Sequence, residues 1–286
     1  MRCFVPIALS LCLVILFSSW GFYAHRMINE AAVFTLSVPL ANFYKKHITY
    51  IREHAVDADK RRYINPEEAE RHFIDMDAYG DHPFDSIPKH WQDAVNKIPE
   101  DTLRKNGTLP WQIHFSYLQL VNAFKERNTQ RILRISTDIG HYIADAHSPL
   151  HTTKNYNGQL TDQEGIHAFW ESRLPEIYAS GYNFFVGKAQ YIDDPLLKAW
   201  EIIEHSFSLT DSVLLVEKQL NQEFPGDRKY IFENRNNLLV KSYSRAYSKA
   251  YHEALNGMIE KQMRAAIITL SSFWYTAWVD AGQPAL

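Results

Sequence analysis

Cysteine is nearly missing from this chain: its 286 residues hold two, Cys3 and Cys12, both within the first nineteen. From residue 20 onward there is no thiol, which excludes a disulfide framework and thiolate metal ligation there. Any transition-metal site must therefore be built from histidine and carboxylate. A strong charge bias is missing as well. The formal net charge is -3, which weakly disfavours a dedicated duplex-DNA binder with its basic face. The basic run Lys60-Arg61-Arg62 reads as a solvated surface before it reads as a contact patch. Internal repeats, low-complexity linkers and series of alternating strand-like segments are absent too. Apolar residues are plentiful: 46% of the chain is hydrophobic and 14% of the chain is aromatic, which suffices for a sizeable core.

The first nineteen residues differ from the rest. Arg2 is their only charge, and Ser10 alone interrupts the apolar run from Cys3 to Phe17. A basic start, an apolar middle and the small polar pair Ser18-Ser19 read as a secretory signal peptide over 1–19. The expectation is an exported domain of residues 20–286, periplasmic or extracellular after cleavage. An uncleaved anchor is the weaker reading, because the run is short for a membrane span. Phe17 is bulky for the position three before a Ser19/Trp20 cut. A lipoprotein anchor at Cys12 is weaker still, since Leu11 is not the small residue that such a site normally has.

Beyond Trp20 the hydrophobic periodicity is helical. It predicts helices or helix pairs over Arg26–His54 with a break at Pro39, Thr102–Glu126 and Gln130–His147. Gly165–Tyr178, Pro195–Phe224 and Tyr230–Ala281 follow the same pattern. Two stretches are irregular: Asn65–Lys89, with prolines at 66, 83 and 88, and Thr152–Glu164, rich in Asn, Gly and Thr. The expected architecture is a single all-α multi-helix domain carrying two functional loops.

The chemistry concentrates in "GHYIADAHSPLH", Gly140 to His151. His141 and Asp145 are four apart and share a helix face; His151 follows Pro149, where the helix should end. In "GIHAFWES", His167 and Glu171 repeat the spacing. Either pair alone is explained by a helix-surface charge pair. Together they offer five nitrogen and oxygen donors suited to zinc. Upstream, Asp59, His72 and Asp75 sit beside irregular backbone, where side chains can be aimed between helices. Taken alone, His72 reads as a half-buried hydrogen-bonded histidine and Asp59 as a capping or turn residue. His54 and His114 have no partner at ligand spacing and read as structural or surface residues.

The ordered set Trp20, His25, Asp59, His72, His141, Asp145, His151, His167 and Glu171 resembles the superfamily joining bacterial zinc-dependent phospholipase C with the S-one/P-one type single-strand nucleases. The matched positions run from Trp20 to Glu171. The resemblance implies an all-helical secreted enzyme with three zinc ions per chain. It places one zinc on Asp59, His72, His141 and Asp145, and a second on His151, His167 and Glu171. The third falls on His25, on Asp145 as a bridge, and on the backbone amine and carbonyl of Trp20, provided that Trp20 is the mature N-terminus. His147 matches a non-ligand position and is assigned a supporting or core role. The implied reaction is phosphate-ester hydrolysis by a zinc-bound hydroxide, formed near neutral pH because zinc lowers the pKa of water to about 7. Asp75, in "HFID", is the candidate general base, and Asp59 is the alternative.

The substrate is divided between two branches. The Trp20–His25 interval, "DAHSPLH" and "HFID" look like the nucleases. The short His151–His167 interval, glutamate at 171 and the cysteine-free mature chain look more like phospholipase C. The expectation leans to phospholipase C-like cleavage at a phospholipid head group, with a single-strand nuclease or 3'-nucleotidase acting on nucleic acid second. Phe73 or Tyr79 would be the base-stacking candidates in that case. From another class, a catalytically silent zinc-stabilised binding module also accommodates the ligand set.

Overall fold

A computed structural model describes residues 22–235 and 238–286. Trp20 and the leader-like 1–19 segment lie outside the described residues. The fold is all-α except for one two-stranded antiparallel hairpin. Its frame is a set of long helices at Leu109–Lys125, Thr129–Ala146 and Met258–Asp280, with the first helix, Phe22–Val33, laid across them.

The Thr129–Ala146 helix is central. The Asn128 side chain caps it by accepting from Arg131 N at 3.1 Å. Ile132, Ile135, Ile139 and Ile143 recur at helical spacing and are all buried. The helix stops at His147 because Ser148 precedes Pro149, and a residue before proline is driven out of the helical region. Pro149–Thr152 then forms one 3-10 turn, which swings His151 back beneath the helix end.

Aromatic side chains fill the core with their polar tips satisfied. Trp111 meets Trp200 edge-on, ring centroids 5.1 Å apart, and both indole N–H groups donate to Lys89 O. Tyr44 stacks on Trp274 at 4.5 Å and bonds Ser136 through its hydroxyl. Without a thiol in the described residues, tertiary order rests on such packing and on main-chain bonds.

One helix expectation needs correction. Tyr230–Ala281 does not begin as a helix. Tyr230–Arg235 and Leu238–Tyr243 pair as antiparallel strands, followed by helices Arg245–Ala254 and Met258–Asp280. Aromatic and β-branched residues on both sides of an Asn-rich centre favour a hairpin over a helix. Thr102–Glu126 is broken at Asn106–Thr108, because Gly107 has φ 90 and a Cβ there would stand 2.1 Å from Phe73 O. Within Gly165–Tyr178 the turn at Phe169–Arg173 is π-helical.

Gly140 sets how closely the first helix approaches. A Cβ at this position would lie 2.1 Å from Asn29 Oδ1. Asn29 is fully buried and its amide donates to His25 O at 2.9 Å. The Gly140→Ala substitution gains about 1 kcal/mol of helix propensity but overpacks this crossing at a cost of about 1–3 kcal/mol. Urea unfolding should show a net loss of stability, accompanied by weaker metal retention as His25 is displaced.

Candidate metal centre

Five imidazoles and three carboxylates converge where the first helix, the central helix, the 3-10 turn and the π-helical turn meet. They form three groups, the first two sharing His141: His25–His141–Asp145, Asp59–His72–His141 and His151–His167–Glu171. Each comes from a different local device. His25 reaches in from the first helix and stacks on His141, with centroids 4.1 Å apart and planes at 14°. His141 and Asp145 project together from the last turns of the central helix. His167 and Glu171 keep their i,i+4 relation through the π-helical turn, with His167 Nε2 2.9 Å from Glu171 Oε2. Single π-helical turns recur at functional sites because they re-aim one side chain without ending the helix.

His72 lies on irregular backbone, and four main-chain bonds pin its segment. Ile74 N donates to His151 O, Asp75 N to Asn106 O, Thr108 N to Glu70 O and Leu109 N to Phe73 O, all within 3.2 Å. His151 adds a side-chain bond by donating Nδ1–H to His72 O at 2.6 Å. The positive φ of Gly107 brings the Asn106–Leu109 turn close enough to make three of these bonds.

Proton bookkeeping shows what the centre requires. His141 donates Nδ1–H to Ala55 O at 2.9 Å. Burial and the neighbouring His25 ring push its pKa down to about 3, so it is neutral with a lone pair on Nε2. That lone pair faces His72 Nδ1 at 3.1 Å, Asp145 Oδ2 at 3.3 Å and Asp59 Oδ1 at 3.7 Å. His151 is likewise shifted down by burial, and its Nε2 lone pair faces Glu171 Oε2 at 3.0 Å. A lone pair against a carboxylate oxygen repels; a cation between them turns the same geometry attractive. Donors around a tetrahedral zinc with bonds of about 2.0–2.1 Å stand roughly 3.3 Å apart, close to these separations. The donor set fits a divalent metal, with nitrogen and oxygen ligands only.

Asp145 joins the groups. Its Oδ2 lies 2.9 Å from His72 Nδ1, while Oδ1 lies 3.4 Å from His25 Nε2 and 3.7 Å from His151 Nε2. Burial, then repulsion from Glu171 and Asp59, drives its pKa well above the usual carboxylate range, the condition that a bound cation would relieve. Glu171 moves oppositely. Burial acts to raise it, but His151 and His167 outweigh that and hold it well below the ordinary value. Asp59 is also held low: its imidazole neighbours and the Arg62 guanidinium, 3.1 Å away, overcome the upward push of burial.

The centre opens on a cleft of about 1070 Å³. Asp75 lines it, outside the ligand groups, and burial with nearby Asp77 raises its pKa to about 6. Opposite, the hairpin contributes Tyr230, Lys241 and Tyr243. Tyr243 stacks on Phe169 at 3.8 Å, and Arg173 pairs with Glu233 at 2.6 Å, which fastens this wall to the turn carrying Glu171. Sequence reasoning missed the wall because it assigned the segment to a helix. The expectation for His147 agrees with its place: it is buried and its Nε2 meets Thr269 Oγ1 at 3.3 Å. His54 pairs with Asp57 at 2.6 Å, away from the centre.

Metal binding should stabilise the fold by mass action, about 2.7 kcal/mol when free metal is one hundred times its Kd. Chelation of the wild-type chain should therefore lower its thermal midpoint. Asp145→Ala, which removes the shared ligand, should bind less metal and show a smaller response to chelator in the same scan. No protein-family model matches the chain, and no curated protein matches it.

Proposed function

We propose that the chain is a zinc-dependent phosphoric-ester hydrolase with a phospholipase C-like activity. The observation that carries this reading is the convergence of imidazole nitrogens and carboxylates at the floor of an open cleft. Asp59, His72, His141 and Asp145 would hold one ion, and His151, His167 and Glu171 a second. His25 and Asp145 would hold a third together with the backbone of Trp20. The ions would supply acidified water and positive charge against the phosphoryl oxygens.

The protein's own groups divide the remaining work. Arg62, Lys154 and Lys241 in the cleft wall attract the phosphate. Asp75 takes the proton from the attacking water. Of the two base candidates, Asp75 has its pKa near the working pH and Asp59 does not, and proton transfer is most effective when the two match. The leader-like first nineteen residues support export.

The rim favours lipid over nucleic acid. Ile64 is 87% exposed and Leu239 is 72% exposed, and each adjoins a cleft-lining residue, Tyr63 and Val240 respectively. Leu160, 70% exposed, shares a loop with the lining residues Tyr156 and Asn157. Aliphatic side chains offer no π-face for a base but partition readily into an acyl boundary. The nuclease reading draws on Tyr63, Phe73, Tyr156 and Tyr230 in the same cleft, whose rings could stack bases.

Metal analysis of the mature chain should find about three zinc ions. The zinc-loaded enzyme should then release phosphorylated head groups from phosphatidylcholine and leave single-stranded DNA and RNA intact. Cleavage of nucleic acid alone would move the assignment to the nuclease branch, and no turnover on any of them would leave a binding module. Asp75 must be ionised to accept a proton, so kcat/KM should fall as pH drops through about 6. Asp75→Asn should lose this acid limb and about 10²–10⁴-fold in kcat, with its zinc content unchanged.

A further inference from the structure

His72 differs from His141 and His151 in what stands behind it. His141 and His151 each commit the nitrogen facing away from the centre to a backbone carbonyl. His72 instead turns Nδ1 to the centre, and its Nε2 is buried without a hydrogen-bond partner. The acidic group facing that nitrogen is Glu68, with Oε1 at 3.8 Å. Glu68 sits one helical turn earlier and its side chain is only 1% exposed.

Three charged or polar groups hold the Glu68 carboxylate in place. Arg61 Nη2 donates to Oε1 at 3.1 Å, the Tyr142 hydroxyl donates to the same oxygen, and Arg71 Nη1 donates to Oε2 at 2.9 Å. Arg61 Nη1 also bonds Asp138 at 2.9 Å, which ties the cluster to the central helix one turn before His141. A carboxylate is seldom so completely buried unless it is paired, and here two guanidinium groups and a phenol fix it against a ligand.

We propose that Glu68 is a positioning residue for His72. Its carboxylate, 3.8 Å from Nε2, attracts the ring proton to that nitrogen through space, which holds the ring in the tautomer whose Nδ1 lone pair faces the centre and makes Nδ1 a stronger donor. Arg61, Arg71 and Tyr142 keep the Glu68 carboxylate aimed. A carboxylate behind a metal-bound imidazole orients the ring and raises its basicity, and losing such a partner costs about 10–100-fold in metal affinity.

This proposal rests on the metal-centre reading, but its first test does not need a metal. In the metal-free chain, long-range ¹⁵N–¹H correlation should show His72 neutral and protonated at Nε2. Glu68→Gln, which retains an acceptor oxygen but no charge, should keep that tautomer with weaker deshielding of the Nε2 proton. Glu68→Ala should leave a mixture of tautomers. In competition titrations with Zn²⁺, Glu68→Ala should bind one ion about 10–100-fold more weakly, and Glu68→Gln should recover part of that loss. His72 already protonated at Nδ1 in the wild type, or unchanged Zn²⁺ affinity in Glu68→Ala, would overturn the proposal. A wild type with the expected tautomer but no Zn²⁺ binding would defeat the metal reading and leave the Glu68–His72 pairing standing.

Discussion

The site is arranged around three carboxylates held among five imidazoles at the meeting point of six chain segments. Buried anions that face lone pairs are costly unless a cation joins them or a proton neutralises one. Asp145 bears most of this strain. Its oxygens look in two directions, one towards His72 and His141 and the other towards His25 and His151. One side chain thereby couples groups drawn from the first helix, the central helix, the loop at His72 and the turn at His151. Removing it would leave those histidines facing one another without a common counter-charge.

Such a centre needs stiff support, and the described residues provide it without covalent cross-links. The central helix is fixed on three sides by other helices. The irregular segments are fixed by main-chain hydrogen bonds, which fall on the residues flanking His72 and His151. Two glycines matter for steric reasons: Gly140 allows Asn29 against the central helix, and Gly107 allows the turn that grips Phe73. Close approach at these two glycines locks together segments that no disulfide joins among the described residues.

What could be read in the sequence was what is local. His141–Asp145 and His167–Glu171 were visible as i,i+4 pairs, because a helix places such residues on one face whatever surrounds it. Asp59 and His72 lie on short helices and loops, where spacing carries no geometric meaning, and only the ordered resemblance singled them out. The hairpin was hidden because its apolar residues fit a helical pattern as readily as a strand, and its pairing depends on packing against Phe169 and Arg173. Glu68 carried a readable signal, since it precedes His72 by the same four residues as the other pairs. It was lost among Glu67, Glu68 and Glu70, a run that looks like a solvated surface until Arg61, Arg71 and Tyr142 are seen to close over it.

Asp59 and Asp75 show why residue type alone could not assign roles. Both are aspartates lining one cleft, and sequence left either as the base. Their surroundings separate them. Arg62 and the imidazoles keep Asp59 ionised, which suits a ligand that must not release its metal as the pH falls. Asp75 has the opposite environment, with partial burial and another carboxylate nearby, so that a proton is neither refused nor held tightly. Asp59 stands against a guanidinium, and Asp75 stands beside another carboxylate. That division follows from where the helix ends and the pinned loop place two chemically identical groups.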